Sequence, residues 1–226
     1  MKNIRVFSLC SLLILAFAVA CNESSNIEIV ENKDDDGRLI EKYSRSKDNF
    51  AKQGFYQAFY TNGNILEEAN YEKDVLHGER KLFLSDGTLD IVEHYNFGQF
   101  SGLYEKYYPN GQVKFTGEYT NNVMAGLWKG YYQDGTLKEE VTMKNNEENG
   151  PFKEYHPSGA LAVEGNFQNG PFEEGELKEY DDNGGLIARK LCHLGLCKEI
   201  WTSEKGAIEI DKEAFFELAE KMKAIE

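Results

Sequence analysis

Two glycine series run through this chain in step, and their spacing limits what it can fold into more than any other feature. Gly37, Gly63, Gly87, Gly111, Gly135, Gly159 and Gly184 follow one another at intervals of 26, 24, 24, 24, 24 and 25 residues. Gly54, Gly78, Gly102, Gly126, Gly150 and Gly175 each lie nine residues before a member of the first series. A fixed period of roughly 20 to 50 residues marks units that cannot bury a core alone and must stack on their neighbours. Such arrays present surfaces more readily than they build enclosed catalytic pockets.

Between paired glycines the segments read FYQAFYTN, ERKLFLSD, LYEKYYPN, LWKGYYQD, PFKEYHPS and ELKEYDDN, so Phe59, Phe83, Tyr107, Tyr131, Tyr155 and Tyr180 fall five residues after each glycine. Each segment ends in Asn-Gly, Asp-Gly or Ser-Gly, dipeptides that allow positive φ, and reads as a two-residue hairpin turn. A second strand starts at Ile65, Leu89, Val113, Leu137, Leu161 and Leu186, with Tyr71, Tyr95, Tyr119, Met143, Phe167 and Cys192 six residues further on. An even separation puts both members on one face of a strand. Stretches such as TNNVMAG and KNNEENG read as looser polar connections. The expectation is an all-β fold, an extended antiparallel meander of about six 24-residue β-hairpin repeats.

The residues carrying this pattern resemble the bacterial variant of the MORN repeat, with a consensus near G-x-W-x-x-Y-Y-x-N-G-x-L-x-x-E-x-x-Y; GLYEKYYPNGQVKFTGEY and GLWKGYYQDGTLKEEVTM match it closely. The resemblance covers about residues 37–192. Arg80 stands where Tyr56, Tyr104, Trp128 and Phe152 place an aromatic, and the last repeat weakens to Leu177 and Asp181. It implies hairpins laid side by side in an extended sheet, and related chains are often labelled antitoxin-like.

At the start, Lys2 and Arg5 precede an uncharged apolar run from Val6 to Val19, too short for a comfortable membrane span and suited to a signal peptide in residues 1–20. Ala18-Val19-Ala20-Cys21 then resembles a bacterial lipobox, which implies Cys21 as the acylated first residue of a membrane-anchored envelope lipoprotein. Residues 21–36 are polar and without period, and are expected to form a flexible tether. With Cys10 in the signal and Cys21 lipidated, Cys192 and Cys197 remain as a pair flanking a glycine-containing turn in an oxidising compartment, and are expected to form a disulfide. Zinc on Cys192, His193 and Cys197 is the weaker reading, because a closed structural site takes four ligands.

The net charge is −14, and loss of Lys2 and Arg5 with the signal makes it more acidic. Lys and Arg alternate with Glu, as in Lys138, Glu139 and Glu140, so nucleic acid is not an expected partner. Contact with anionic lipid is expected only through the acyl group on Cys21.

Residues 193–226 are expected to hold a hairpin remnant and a short capping helix, opened by Asp211, with Phe215, Leu218, Met222 and Ile225 on the face that covers the last strand. No catalytic residues, metal or cofactor are expected. His77, His94, His156 and His193 occupy different places in their repeats, and Glu67, Glu68, Glu139, Glu140 and Glu164 follow strand starters as surface residues do. Tyr60, Tyr108, Tyr132 and His156 directly follow the repeated aromatics, so on a strand they face the opposite side and are candidate contacts for a partner or glycan. The expected function is noncatalytic: an envelope lipoprotein serving as a scaffold or protein-binding module. Antitoxin-like neutralisation of a toxic protein and glycan binding are the alternatives.

Overall fold

The computed structural model describes residues 26–224. The expected signal peptide, Cys21 and Ile225 lie outside the described residues. Among the described residues seventeen strands form one antiparallel sheet in an open meander. They are β1 Ile27–Lys33, β2 Leu39–Ser46, β3 Lys52–Phe59, β4 Ile65–Glu72, β5 Val75–Phe83, β6 Leu89–Asn96, β7 Gln99–Phe100, β8 Gly102–Tyr107 and β9 Val113–Thr120. There follow β10 Val123–Tyr131, β11 Leu137–Lys144, β12 Glu147–Tyr155, β13 Leu161–Phe167, β14 Gly175–Tyr180, β15 Leu186–His193, β16 Leu196–Thr202, β17 Gly206–Ala207 and one helix, α1 Lys212–Lys223. β7 and β8 are a single strand interrupted at Ser101, and both pair with β6.

The six repeat hairpins share one register: Gly54 faces Tyr71, Gly78 faces Tyr95, Gly102 faces Tyr119, Gly126 faces Met143, Gly150 faces Phe167 and Gly175 faces Cys192. The second glycine series marks the seams between repeats. Between the pairs Ala69–Arg80 and Tyr71–Leu76, β5 places His77, Gly78 and Glu79 against Asn70 alone. That bulge needs the φ of +91° that Gly78 takes.

The turns reverse the sequence expectation. At Tyr60 the N–H donates to the Asn64 carbonyl at 2.8 Å and the Gly63 N–H donates to the Tyr60 carbonyl at 2.9 Å, which closes a three-residue loop over Thr61, Asn62 and Gly63. Of these only Gly63 has positive φ, at +88°. Asn62 serves through its side chain, whose Oδ1 accepts the Asn64 N–H at 3.0 Å. The two-residue turns are instead the supposedly loose links. Asn121 and Asn122 have φ of 51° and 67°, and Asn145 and Asn146 have 55° and 69°, as a type I′ turn requires at both central positions. Asparagine enters the left-handed region at little cost, so Asn-Asn makes a tight turn without glycine.

Residues 27–33, expected within the tether, form β1 and pair with β2 from Ile27–Ser46 to Lys33–Leu39. Their pairing rests on a partner strand and on cross-strand ion pairs, Glu28–Arg45 at 2.7 Å and Glu31–Lys42 at 3.0 Å. A strand of seven residues with a short apolar alternation leaves too little period to read alone.

The helix is capped as expected, with Asp211 Oδ1 accepting the Ala214 N–H at 3.1 Å. Its buried side chains are Phe215 and Ala219, whereas Leu218 and Met222 are about half exposed, so the expected stripe is displaced. The helix does not run along the last strand. Ala219, Met222 and Lys223 share a cleft with Pro171, Phe172, Leu194 and Gly195, so α1 lies over the turns at one edge of the sheet. The final strand β17 has two residues and offers no long edge to cover.

Candidate functional site

One face of the sheet carries the core. On it lie the row Tyr56, Arg80, Tyr104, Trp128, Phe152 and Leu177 and the row Tyr71, Tyr95, Tyr119, Met143, Phe167 and Cys192, whose rings interlock across the strands. Trp128 is 1% exposed, with its ring centroid 5.2 Å from Tyr119, 5.1 Å from Phe115 and 5.9 Å from Tyr104. Phe152 stacks on Phe167 at 4.1 Å, and this last cluster includes Leu177 and Cys192. Cys192 and Cys197 face each other across β15 and β16 and are joined in a disulfide.

Charged side chains also enter this face, Arg80 and Lys52 among them. Arg80 Nε is 2.8 Å from Glu67 and its Nη1 is 3.1 Å from Glu93, whose other contact is the Tyr95 hydroxyl, donating at 3.1 Å. Glu93 is buried, at the position taken by Ala69 in the preceding hairpin. Burial and the Glu93 carboxylate push the Tyr95 phenol up to about 12, and burial with Glu41 does the same at Tyr56. The Glu67 hydrogen bond, with both carboxylates, holds the Arg80 guanidinium above its ordinary range. Lys52 Nζ lies 4.4, 4.9 and 5.2 Å from the ring centroids of Tyr56, Tyr43 and Tyr71. These rings form a cage for a cation, already filled from within the chain.

The candidate contact residues do not form a platform on the opposite face. Tyr60, Tyr108, Tyr132 and His156 sit one residue beyond the ends of β3, β8, β10 and β12. Their side chains tie successive turns together. The Tyr60 hydroxyl donates to the Phe83 carbonyl at 2.8 Å, Tyr108 to Tyr131 at 2.8 Å and Tyr132 to Tyr155 at 2.7 Å, and His156 Nε2 lies 2.9 Å from the Tyr180 carbonyl. Strand alternation does not apply where the chain has already entered the turn. A matching ladder runs along the other edge, where the Asn122 N–H donates to Phe100 at 2.9 Å and Asn122 Oδ1 accepts the Phe100 N–H at 2.8 Å.

The opposite face holds a feature that the sequence reading missed. Phe55, Leu103 and Leu127, each directly after a seam glycine, are exposed, and Pro151 continues the row. Leu103 and Leu127 flank a cleft of about 270 Å³ with Thr116, Glu118, Gly126 and Lys129. Beside it Lys129 pairs with Glu140 at 3.2 Å, and further along the sheet Lys178 pairs with Glu164 at 3.0 Å. The signal was present as the apolar residue after Gly54, Gly102 and Gly126, on the face opposite the core row.

Comparison with known proteins bears on the repeat itself. The MORN repeat variant family matches residues 52–73, 100–121, 124–145 and 148–169. These are the hairpins with Tyr56, Tyr104, Trp128 and Phe152 in the core row, and the hairpins with Arg80 and Leu177 fall outside the matches. No curated protein matches the chain. The crystal structure of TcdB2-TccC3-TEV is similar over 73% of this chain and 12% of that chain, with 9% identity and a TM-score of 0.23. The chain thus spans a small part of that protein's length. Four hairpins that share one register in a single sheet are thus matched by the MORN repeat variant.

Proposed function

We propose that this chain is a noncatalytic protein-binding scaffold, held at a bacterial envelope membrane by lipid on Cys21. The observation that supports binding is the exposed apolar row, in which Leu103 is 39% and Leu127 50% exposed at equivalent places in adjacent hairpins. Large apolar side chains aligned on a rigid sheet, flanked by polar pairs that already satisfy one another, suit a partner segment that presents apolar residues at about 10 Å intervals, the advance of two strands. Antitoxin-like neutralisation would be one form of such binding. Glycan capture has less support, because the hydroxyls of Tyr60, Tyr108 and Tyr132 already donate within the chain.

The Leu103→Ser, Leu127→Ser double variant tests the surface. Proteins crosslinked to the wild type in native membranes should be lost from the variant, with a binding deficit of about tenfold or more once the partner is purified. Its unfolding midpoint should stay near that of the wild type, since both side chains already face solvent. Full retention of the crosslinked partners would remove the row from consideration.

The anchor is tested separately. Residues 22–26 alone separate Cys21 from β1, so an acylated Cys21 would hold the sheet within about 20 Å of the bilayer. A Cys21→Ser variant should move from the membrane fraction to the soluble fraction. Membrane retention and detergent dependence equal to the wild type would show that something else anchors the chain.

A further inference from the structure

His193, the last residue of β15, lies between two carboxylates that belong to different parts of the chain. Its Nδ1 is 3.0 and 3.1 Å from the two oxygens of Glu174, just ahead of β14, and its Nε2 is 3.3 Å from Oε1 of Glu220 on α1. Glu174 is fixed by the Leu194 N–H, which donates to Oε2 at 3.1 Å. The imidazole ring also packs on Phe216 of the helix, with centroids 4.8 Å apart.

This arrangement demands a particular protonation state. A neutral imidazole has one N–H and one lone pair, so it can donate to only one of two flanking carboxylates. The imidazolium donates to both. The remaining charged groups around the ring belong mainly to α1: Glu213, Glu217 and Lys221 line the open side with Glu220, and Glu173 neighbours Glu174 in the chain. At the far end of the helix, Lys223 Nζ sits 3.4 Å from the Phe172 centroid. The surroundings of His193 are acidic, and the hydrogen bond to Glu174, reinforced by Glu220, holds its pKa above the ordinary imidazole range despite partial burial.

We propose that His193 is a proton-controlled latch, tying α1 to the edge of the array as an imidazolium and releasing it when the ring loses its proton. The folded pKa is the raised one, so the contribution to docking is fully present below the ordinary imidazole value near 6.5 and is lost as pH rises through the higher folded value. The base of the latch stays in place, because Cys192 beside it is buried and bonded to Cys197. Only the helix is free to respond. Its release uncovers Phe215 and Ala219 and joins them to the already exposed Phe216, Leu218 and Met222, giving one continuous apolar helix face.

Hydrogen exchange of the full chain between pH 6 and pH 9, corrected for intrinsic amide rates, tests this. The protection factor of residues 212–224 should fall several-fold over that range in the wild type, while that of β10 stays constant. In His193→Gln the helix should show reduced protection with no pH dependence, and Glu220→Gln should flatten the dependence. If α1 is unprotected at every pH in His193→Gln, imidazole ¹⁵N titration of the wild type decides: its midpoint must coincide with the loss of helix protection. Constant wild-type protection of α1, a preserved pH dependence in His193→Gln, or a ring titration out of step with the helix would each overturn the latch.

Discussion

Replacement of Arg80 by alanine should destabilise the array by about 3 kcal/mol, because it leaves buried Glu93 and half-buried Glu67 without their counter-charge. Removing one partner of a buried pair is far more damaging than removing the whole pair, since the remaining carboxylate keeps its desolvation cost. The preceding hairpin shows the uncharged alternative, with Tyr56 facing Ala69 in the register that Arg80 and Glu93 share. A triple variant, Glu67→Val, Arg80→Tyr and Glu93→Ala, should therefore return to within about 1 kcal/mol of the wild type or exceed it. Urea unfolding with a common slope measures both. An Arg80→Ala cost below about 1 kcal/mol, or a triple variant as unstable as the single one, would show that the ion pairs are solvated and incidental.

The largest single loss is expected at Trp128. Its ring lies over Gly117, where a Cβ would come within 2.0 Å of Cδ2, so the tryptophan fits only because that position has no side chain. Trp128→Ala should cost about 4 kcal/mol through lost burial and the cavity left between Tyr104, Phe115 and Tyr119. Gly117→Ala should cost about 2 kcal/mol by displacing the ring. Trp128 Nε1 is buried and has no hydrogen-bond partner among the described residues, so Trp128→Phe gives up volume but no hydrogen bond and should be the mildest of the three. Equal losses for Trp128→Phe and Trp128→Ala would contradict this account of the site.

The two predictions fall on the same row, and the row explains how far sequence could reach. The position two residues after Gly54, Gly78, Gly102, Gly126, Gly150 and Gly175 is recognisable as a repeated position by its aromatics, and Arg80 stands out there as a departure. What Arg80 does could not be seen, because Glu67 and Glu93 lie 13 residues away on either side and become its neighbours only through the register of β4, β5 and β6. Tyr108 and Tyr132 show the same limit from the other direction. Their periodicity was visible, but their hydrogen bonds run to carbonyls 23 residues further on and convert an apparent binding platform into a ladder between repeats.

The sequence by itself determined the repeat length, the antiparallel meander, the hairpin phase and the capped helix. Each rests on short-range rules: glycine where φ must be positive, alternation along a strand, and an aspartate that caps a helix. The tertiary structure decided which turns are tight, that residues 27–33 join the sheet, which helix residues are buried, and which aromatics are core. These depend on pairing between strands and on the stacking of one repeat upon the next, where a residue's role is set by a neighbour some 13 to 24 positions away and its own local pattern is nearly silent.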